Sequence, residues 1–266
     1  LYLVWIGSLL GLGYGFYWLA YNLLTFEITE PETRDSFNGL QGISGALGGM
    51  IGPFFAGYVI SSMIGNTGYL IIFGSSLSLF VIAVICSLFL KRRAAEGKYR
   101  LKQVMSERKR NPDWKRITYA NYSQGLREGV FVFIISVFVF IETGSEMALG
   151  TFTLISSGIS FLAYFLVGRY VKVKYRKGSM FAGAMLLYGA IAFLVYKVSY
   201  VKLLIFASVI ALAYPLLFVP YMSLTYDVIG RAREAAIYRI EYIVIRELYL
   251  NAGRATSILV FMGIIM

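Results

Sequence analysis

The chain has 266 residues, of which 58% are apolar, 17% aromatic and 15% charged, with a mean hydropathy of +0.69. A soluble domain is ~45–50% apolar, so this composition excludes one and points to an integral membrane protein. The net charge of +11 would suggest nucleic acid in a soluble chain, but here its distribution along the apolar segments decides its meaning.

A membrane-spanning helix needs about 20 apolar residues, because it rises ~1.5 Å per residue across a core ~30 Å thick. Eight such segments run from Leu1 to Phe26, Phe37 to Met63, Tyr69 to Leu90, Tyr122 to Ile141, Met147 to Val167, Ser179 to Tyr196, Val201 to Tyr226 and Tyr249 to Met266. Long runs without alternation predict helices, so the fold class is all-α and polytopic. The first and last residues both lie in apolar segments, as in a fragment or a trimmed chain.

The run from Lys91 to Arg116 holds 11 of the 25 Lys and Arg residues. Counted by alternate connections, one face carries 23 basic residues and the other only Lys197 and Lys202. That asymmetry predicts a cytoplasmic Lys91–Arg116 loop in a multi-pass protein of the cell membrane. His is absent and Cys86 lies in an apolar run, which removes a disulfide framework, a thiol metal site and the commonest proton shuttle. No cofactor and no metal is expected.

In the first segment Tyr14, Trp18, Tyr21 and Thr25 follow helical spacing and share a face. Such a face either meets lipid or walls a cavity; hydroxyl-bearing rings at mid-depth favour the cavity. The acidic turn FEITEPETRDSF follows, and Glu27, at a helix C-terminus where the dipole disfavours an anion, needs a cationic partner.

The second segment, GLQGISGALGGMIGPFFAGYV, places Gly39, Gly48, Gly52, Pro53, Ala56 and Gly57 at intervals that let helix backbones approach closely. Generic small-residue packing is one account of it. The full spacing resembles the antiporter motif on the fifth helix of the major facilitator superfamily, with Ala56 where that motif prefers Gly. The resemblance implies helices four to eleven of twelve: residues 1–90 end an N-terminal bundle, 91–121 bridge the bundles, and 122–266 belong to the C-terminal bundle.

The fourth segment is uniformly apolar only from Gly129 to Ile141, so Gly125 and Gly129 suit either a bend or a solvated end turn. Glu142 and Glu146 close it as loop residues, with Glu142 kept as a candidate proton acceptor. GRYVKVKYRKGS falls where the family repeats its cytoplasmic Gly and Asp motif; Gly168, Arg176 and Lys177 fit, while Lys172 and Tyr175 depart from it. These basic residues are open to pairing with the acidic turn or with lipid headgroups.

An internal repeat joins the first and seventh segments. YNLLTFEI from Tyr21 aligns with YMSLTYDV from Tyr221, matching Thr25 with Thr225, Phe26 with Tyr226 and Glu27 with Asp227. Tyr14 then meets Tyr214 and Trp18 meets Phe218, while Arg34 and Asp35 have rough counterparts in Arg246 and Glu247. A parallel repeat is expected for two facilitator halves. Since the resemblance puts these helices around the central cavity, it implies that Tyr14, Trp18, Tyr21, Asn22, Tyr214, Phe218 and Tyr221 contact substrate. The stretch Gly230–Arg254 reads as an interfacial amphipathic helix. Glu27, Arg34, Asp35, Asp227, Glu241, Arg246, Glu247 and Arg254 are candidates for ion pairs that lock one face closed.

The expectation is a secondary transporter working by alternating access, a monomer in contact with membrane lipids, a small-molecule substrate and protons. The glycine motif favours efflux of an amphipathic compound, drug or lipid. Uptake of a sugar or other polar metabolite is the rival, and a non-transporting receptor or scaffold is the alternative from another class. Nothing suggests an enzyme or a nucleic-acid partner.

Overall fold

The structure is a computed structural model that describes residues 2–90, 99–194 and 199–265. Its helices are α1 (Tyr2–Ile28), α2 (Arg34–Ser62), α3 (Thr67–Ser87), α4 (Leu101–Glu107), α5 (Pro112–Thr143), α6 (Glu146–Tyr170), α7 (Arg176–Leu194), α8 (Tyr200–Gly230) and α9 (Arg239–Ile265). A 3-10 turn at Val173–Tyr175 precedes α7, and no strand occurs among the described residues. By length and composition, α2, α3, α5, α6, α8 and α9 can each cross a membrane. α3 buries only Gly68 and leaves Phe73, Leu77 and Phe80 exposed, as a lipid-facing helix would.

The helix boundaries have local causes. α5 begins where Asn111 Oδ1 accepts the backbone N–H groups of Asp113 (3.0 Å) and Trp114 (3.1 Å), with Pro112 in the first helical position. Ser145 Oγ likewise accepts the Ala148 N–H at 3.2 Å to open α6. Gly144, at φ 60°, supplies the left-handed residue that turns α5 into α6.

Two sequence expectations change here. The bridge expected through residue 121 already becomes helix at Pro112, because Asn111 caps it; residues 91–98 of the basic run lie outside the described residues. The stretch from Gly230 is not one interfacial helix: α8 runs to Gly230, residues 231–238 form turns with Glu234 at φ 52°, and α9 starts at Arg239.

The chain divides into two compact units. The first comprises Leu1–Arg34, Glu96–Val132 and Met222–Met266; within it α1 and α4 both pack on α9. The second comprises Asp35–Ala95 and Phe133–Tyr221, and has an apolar core where Val139 of α5, Phe152 of α6, and Leu203 and Ala207 of α8 meet. Each unit draws chain from both sides of residues 91–98.

Close helix approaches within the second unit need glycine. A Cβ on Gly39 would lie 2.7 Å from the Cα of Gly168, one on Gly42 would enter the Tyr164 ring, and one on Gly49 would lie 2.7 Å from Ser157 Oγ. The α2–α6 contact thus rests on Gly39, Gly42 and Gly49. Gly48 and Gly52, expected to pack, meet nothing within 4 Å. Pro53 sits inside α2 with its carbonyl oxygen 3.0 Å from where a Cβ on Gly150 would stand, and Gly57 is buried.

Candidate functional site

In the first unit, four helices meet at a buried polar network. α1 contributes Asn22, 5% exposed, whose Nδ2 donates to Glu247 Oε1 of α9 at 2.9 Å and whose Oδ1 accepts from the Tyr226 hydroxyl of α8 at 2.9 Å. Arg246 of α9, 3% exposed, donates through Nε to Asn121 Oδ1 of α5 at 3.1 Å and through Nη2 to Met222 Sδ at 3.1 Å, and its Nη1 pairs with Glu247. A buried amide is costly to leave without partners, and here each oxygen and nitrogen of Asn22 has one. Asn22 is therefore a structural junction as well as an expected substrate contact.

Beside this network the repeated helix ends are tied crosswise. Arg239 Nε donates to Glu27 Oε1 at 2.5 Å, supplying the cation that Glu27 requires at the C-terminal end of α1. Arg34 Nη1 pairs with Asp227, its Nη2 reaches the carbonyl oxygen of Thr29 at 3.3 Å, and its guanidinium carbon lies 5.5 Å from the Phe26 ring centroid and 6.0 Å from that of Tyr226. Phe26 and Tyr226, equivalent in the repeat, have their centroids 6.0 Å apart. The acid of each repeat copy is thus held by the arginine that follows the other copy.

α5 and α9 come together through glycines and a further ion pair. A Cβ on Gly125 would overlap the Leu250 carbonyl oxygen, one on Gly253 the Tyr122 carbonyl oxygen, and one on Gly129 would sit 2.6 Å from the Arg254 carbonyl oxygen. Gly125 and Gly129 consequently lie within continuous α5 at helix-to-helix contact, and not in a solvated end turn. Across the same seam Arg254 donates to Glu128 Oε2 through Nε (3.1 Å) and Nη2 (2.5 Å), and Gln124 Nε2 donates to Glu128 Oε1 at 2.6 Å.

The two aromatic triplets fall in different units. On α1, Trp18 and Tyr21 meet edge to face at 5.7 Å, with Tyr17 5.4 Å from Trp18, while Tyr14 and Trp18 are exposed. On α8, Tyr214 stacks on Phe218 at 5.0 Å and Phe218 lies 6.5 Å from Tyr221, which is buried.

Asp35, adjacent to Arg34 in sequence, belongs to the second unit, where Arg176 grips it with a fork: Nε lies 3.1 and 2.9 Å from its two oxygens and Nη2 2.8 Å from Oδ2. Both side chains are buried. Of the two partners left open for the basic loop, Arg176 takes the acidic turn. This pair and the Gly39–Gly168 approach fasten the start of α2 to the end of α6 and the start of α7.

Asn121, Gln124, Glu128 and Arg239 were outside the expected site, whereas Arg254 was among the candidates for ion pairing and pairs with Glu128. Asn121, Gln124 and Glu128 recur at helical spacing with Gly125 between them, and that polar stripe was the available signal. No group of three or more His, Cys, Asp or Glu among the described residues is arranged to hold a metal ion.

A sequence model of the family described as Major Facilitator Superfamily matches residues 1–240. Protein YqgE of Bacillus subtilis (strain 168), described as uncharacterized, is 59% identical over 263 residues, which is 99% of this chain and 61% of that protein. A Geobacillus stearothermophilus protein, described as the uncharacterized protein in the sodM 3'region, is 53% identical over 96 residues, or 36% of this chain and 45% of its own length. The chain thus spans less than two thirds of these relatives. No solved structure matches it.

Proposed function

The chain belongs to the Major Facilitator Superfamily, a family of membrane transporters, and we propose that it works as a secondary active transporter by alternating access. The observation that carries this reading is the crosswise pairing of Glu27 with Arg239 and of Arg34 with Asp227. Buried ion pairs hold only while their geometry is kept, since separating either partner leaves a charge without compensation. Such pairs suit a gate with two discrete arrangements. The network of Asn22, Tyr226, Arg246 and Glu247 reinforces that gate from α1, α8 and α9.

The substrate in this reading is an amphipathic small molecule, drug or lipid, for which the α1 face of Tyr14, Trp18 and Tyr21 and the α8 face of Tyr214, Phe218 and Tyr221 are each a candidate contact surface. Rings with one polar edge accept flat or greasy ligands while keeping their hydroxyls wet. Transport runs outward in exchange for protons. In the glycine motif, Gly39 and Pro53 keep α2 close to α6, while Gly48 and Gly52 leave space along the helix for movement.

The test is flux in proteoliposomes carrying an imposed pH gradient across a panel of amphipathic cations, drugs and lipids. Gradient-driven export supports the proposal. Gradient-driven accumulation of sugars would replace it with uptake, and absence of any substrate-dependent flux from folded protein would favour a receptor or scaffold.

A further inference from the structure

The first unit contains a groove unrelated to the gate, with a volume of about 570 Å³, lined by Leu101, Lys102, Met105, Ser106, Arg108 and Lys109 from α4 and its end, Lys115 and Tyr119 from α5, and Ile245 and Leu248 from α9. We propose that this groove binds one anionic phospholipid, with the phosphate on its cations and the upper acyl chains along its apolar wall.

The groove is preformed. α4 is a short helix, yet Val104 is 1% exposed and Trp114 fully buried. The Trp114 indole donates to the Val104 carbonyl oxygen at 3.3 Å and stands edge to face on Tyr242 at 5.0 Å. The backbone N–H of Arg100 donates to Glu241 Oε1 at 3.0 Å, which ties the start of α4 to α9. The α4 wall is therefore anchored to α5 at Val104 and to α9 at Arg100, and the Trp114–Tyr242 contact holds α5 and α9 together behind it.

Its chemistry is amphipathic and of one sign. Lys102, Arg108, Lys109 and Lys115 line it, and among the described residues no Asp or Glu does. Arg108 is positioned: its guanidinium carbon lies 5.1 Å from the Tyr119 ring centroid and 4.5 Å from that of Tyr249, Nε donates to Thr118 Oγ1 at 2.9 Å, and Nη1 reaches the Tyr249 hydroxyl. Among the described residues no hydrogen bond engages its Nη2, leaving that donor for a ligand oxygen. A cation held between rings and supported by lysines is suited to a phosphate. Against it lie Leu101, Met105, Tyr119 and Leu248, all exposed, over buried Ile245.

The depth of the groove selects a lipid. α5 has 32 residues, about 48 Å at ~1.5 Å per residue, against a hydrocarbon core of ~30 Å. Its surplus lies at the polar end that carries Asp113, Lys115 and Arg116, so its first turns stand at headgroup level. An inorganic phosphate would use the cations and leave the apolar wall wet. An acidic peptide would do the same.

The experiment is native mass spectrometry of the purified protein in detergent with equimolar phosphatidylglycerol and phosphatidylcholine. One tightly retained phosphatidylglycerol is expected, with phosphatidylcholine lost. The variant combining Lys102→Gln, Lys109→Gln and Lys115→Gln should lower phosphatidylglycerol affinity by about tenfold or more, since each surface cation near an anionic lipid contributes measurably. If that variant fails to fold, Ser106→Glu, which adds an anion to the rim, should produce the same loss. Equal retention of both lipids, or unchanged phosphatidylglycerol binding in the folded variants, overturns the proposal. So does displacement of the lipid by millimolar inorganic phosphate or by polyglutamate, which would identify a free anion or an acidic chain as the occupant.

Discussion

Asp227 holds in the second repeat copy the place that Glu27 holds in the first, and its partner is Arg34, which follows the first copy. Glu27 in turn pairs with Arg239, which follows the second copy. The exchange makes the end of each repeated helix depend on the other. The two pairs differ in dryness: the Arg34 and Asp227 side chains are 6% and 11% exposed, while Arg239 is 24% exposed.

Asp227→Asn should therefore destabilise more than Glu27→Gln. Breaking a buried pair costs about 3–5 kcal/mol, and Arg239 retains a route to water that Arg34 lacks. Thermal unfolding in detergent measures this, and the charge exchange Arg34→Asp with Asp227→Arg should recover part of the loss. A larger effect from Glu27→Gln would contradict the assignment.

Gly125→Ala and Gly253→Ala should each lower stability by about 1–3 kcal/mol, the usual cost of overpacking, because the new methyl group meets backbone across the α5–α9 seam. Gly48→Ala and Gly52→Ala should cost nothing measurable in the same unfolding assay, since nothing lies within 4 Å. The contrast separates packing glycines from those that only match a motif.

Asn22→Ala should destabilise by about 1–3 kcal/mol, because it leaves the buried Tyr226 hydroxyl without a partner and removes one of the donors to Glu247. Tyr226→Phe removes one hydroxyl together with its hydrogen bond and should cost less. Denaturant midpoints for the two variants decide the order.

Trp18→Ala and Tyr221→Ala should weaken binding of an amphipathic ligand by about tenfold, the scale of one lost aromatic contact. Tryptophan-independent binding, such as scintillation proximity with a radiolabelled ligand, gives the readout. Unchanged affinity in both would assign these faces to lipid or to packing.

Arg176→Lys should lower the unfolding temperature despite keeping the charge. An ammonium cannot reproduce the fork that engages both oxygens of Asp35. Recovery of wild-type stability by lysine would show that charge alone suffices there.

Much of the molecule was legible in one dimension. Apolar run length and the absence of alternation determined an all-helical membrane fold, and the YNLLTFEI and YMSLTYDV copies, with the glycine spacing, pointed to the family. These signals are local: hydrophobicity per turn and residue order survive without knowledge of neighbours. The need of Glu27 for a cation was also readable, because a helix dipole acts on its own terminus.

Partner choice was not readable. Nothing in the order of residues distinguishes Arg239 from Arg34 or Arg246 as the partner of Glu27, nor Gly42 from Gly48 as the packing glycine. Those outcomes depend on which helix faces meet, and a rotation of one residue moves a side chain by about 100° around its helix. Asn121 and Glu128 were unreadable for the same reason: each looks like a polar residue near a helix end until α5 and α9 are set against each other, and only that contact gives Arg254 its partner. Tertiary structure alone decided that these charges are buried and paired, because burial is affordable only where distant segments bring compensating groups to one place.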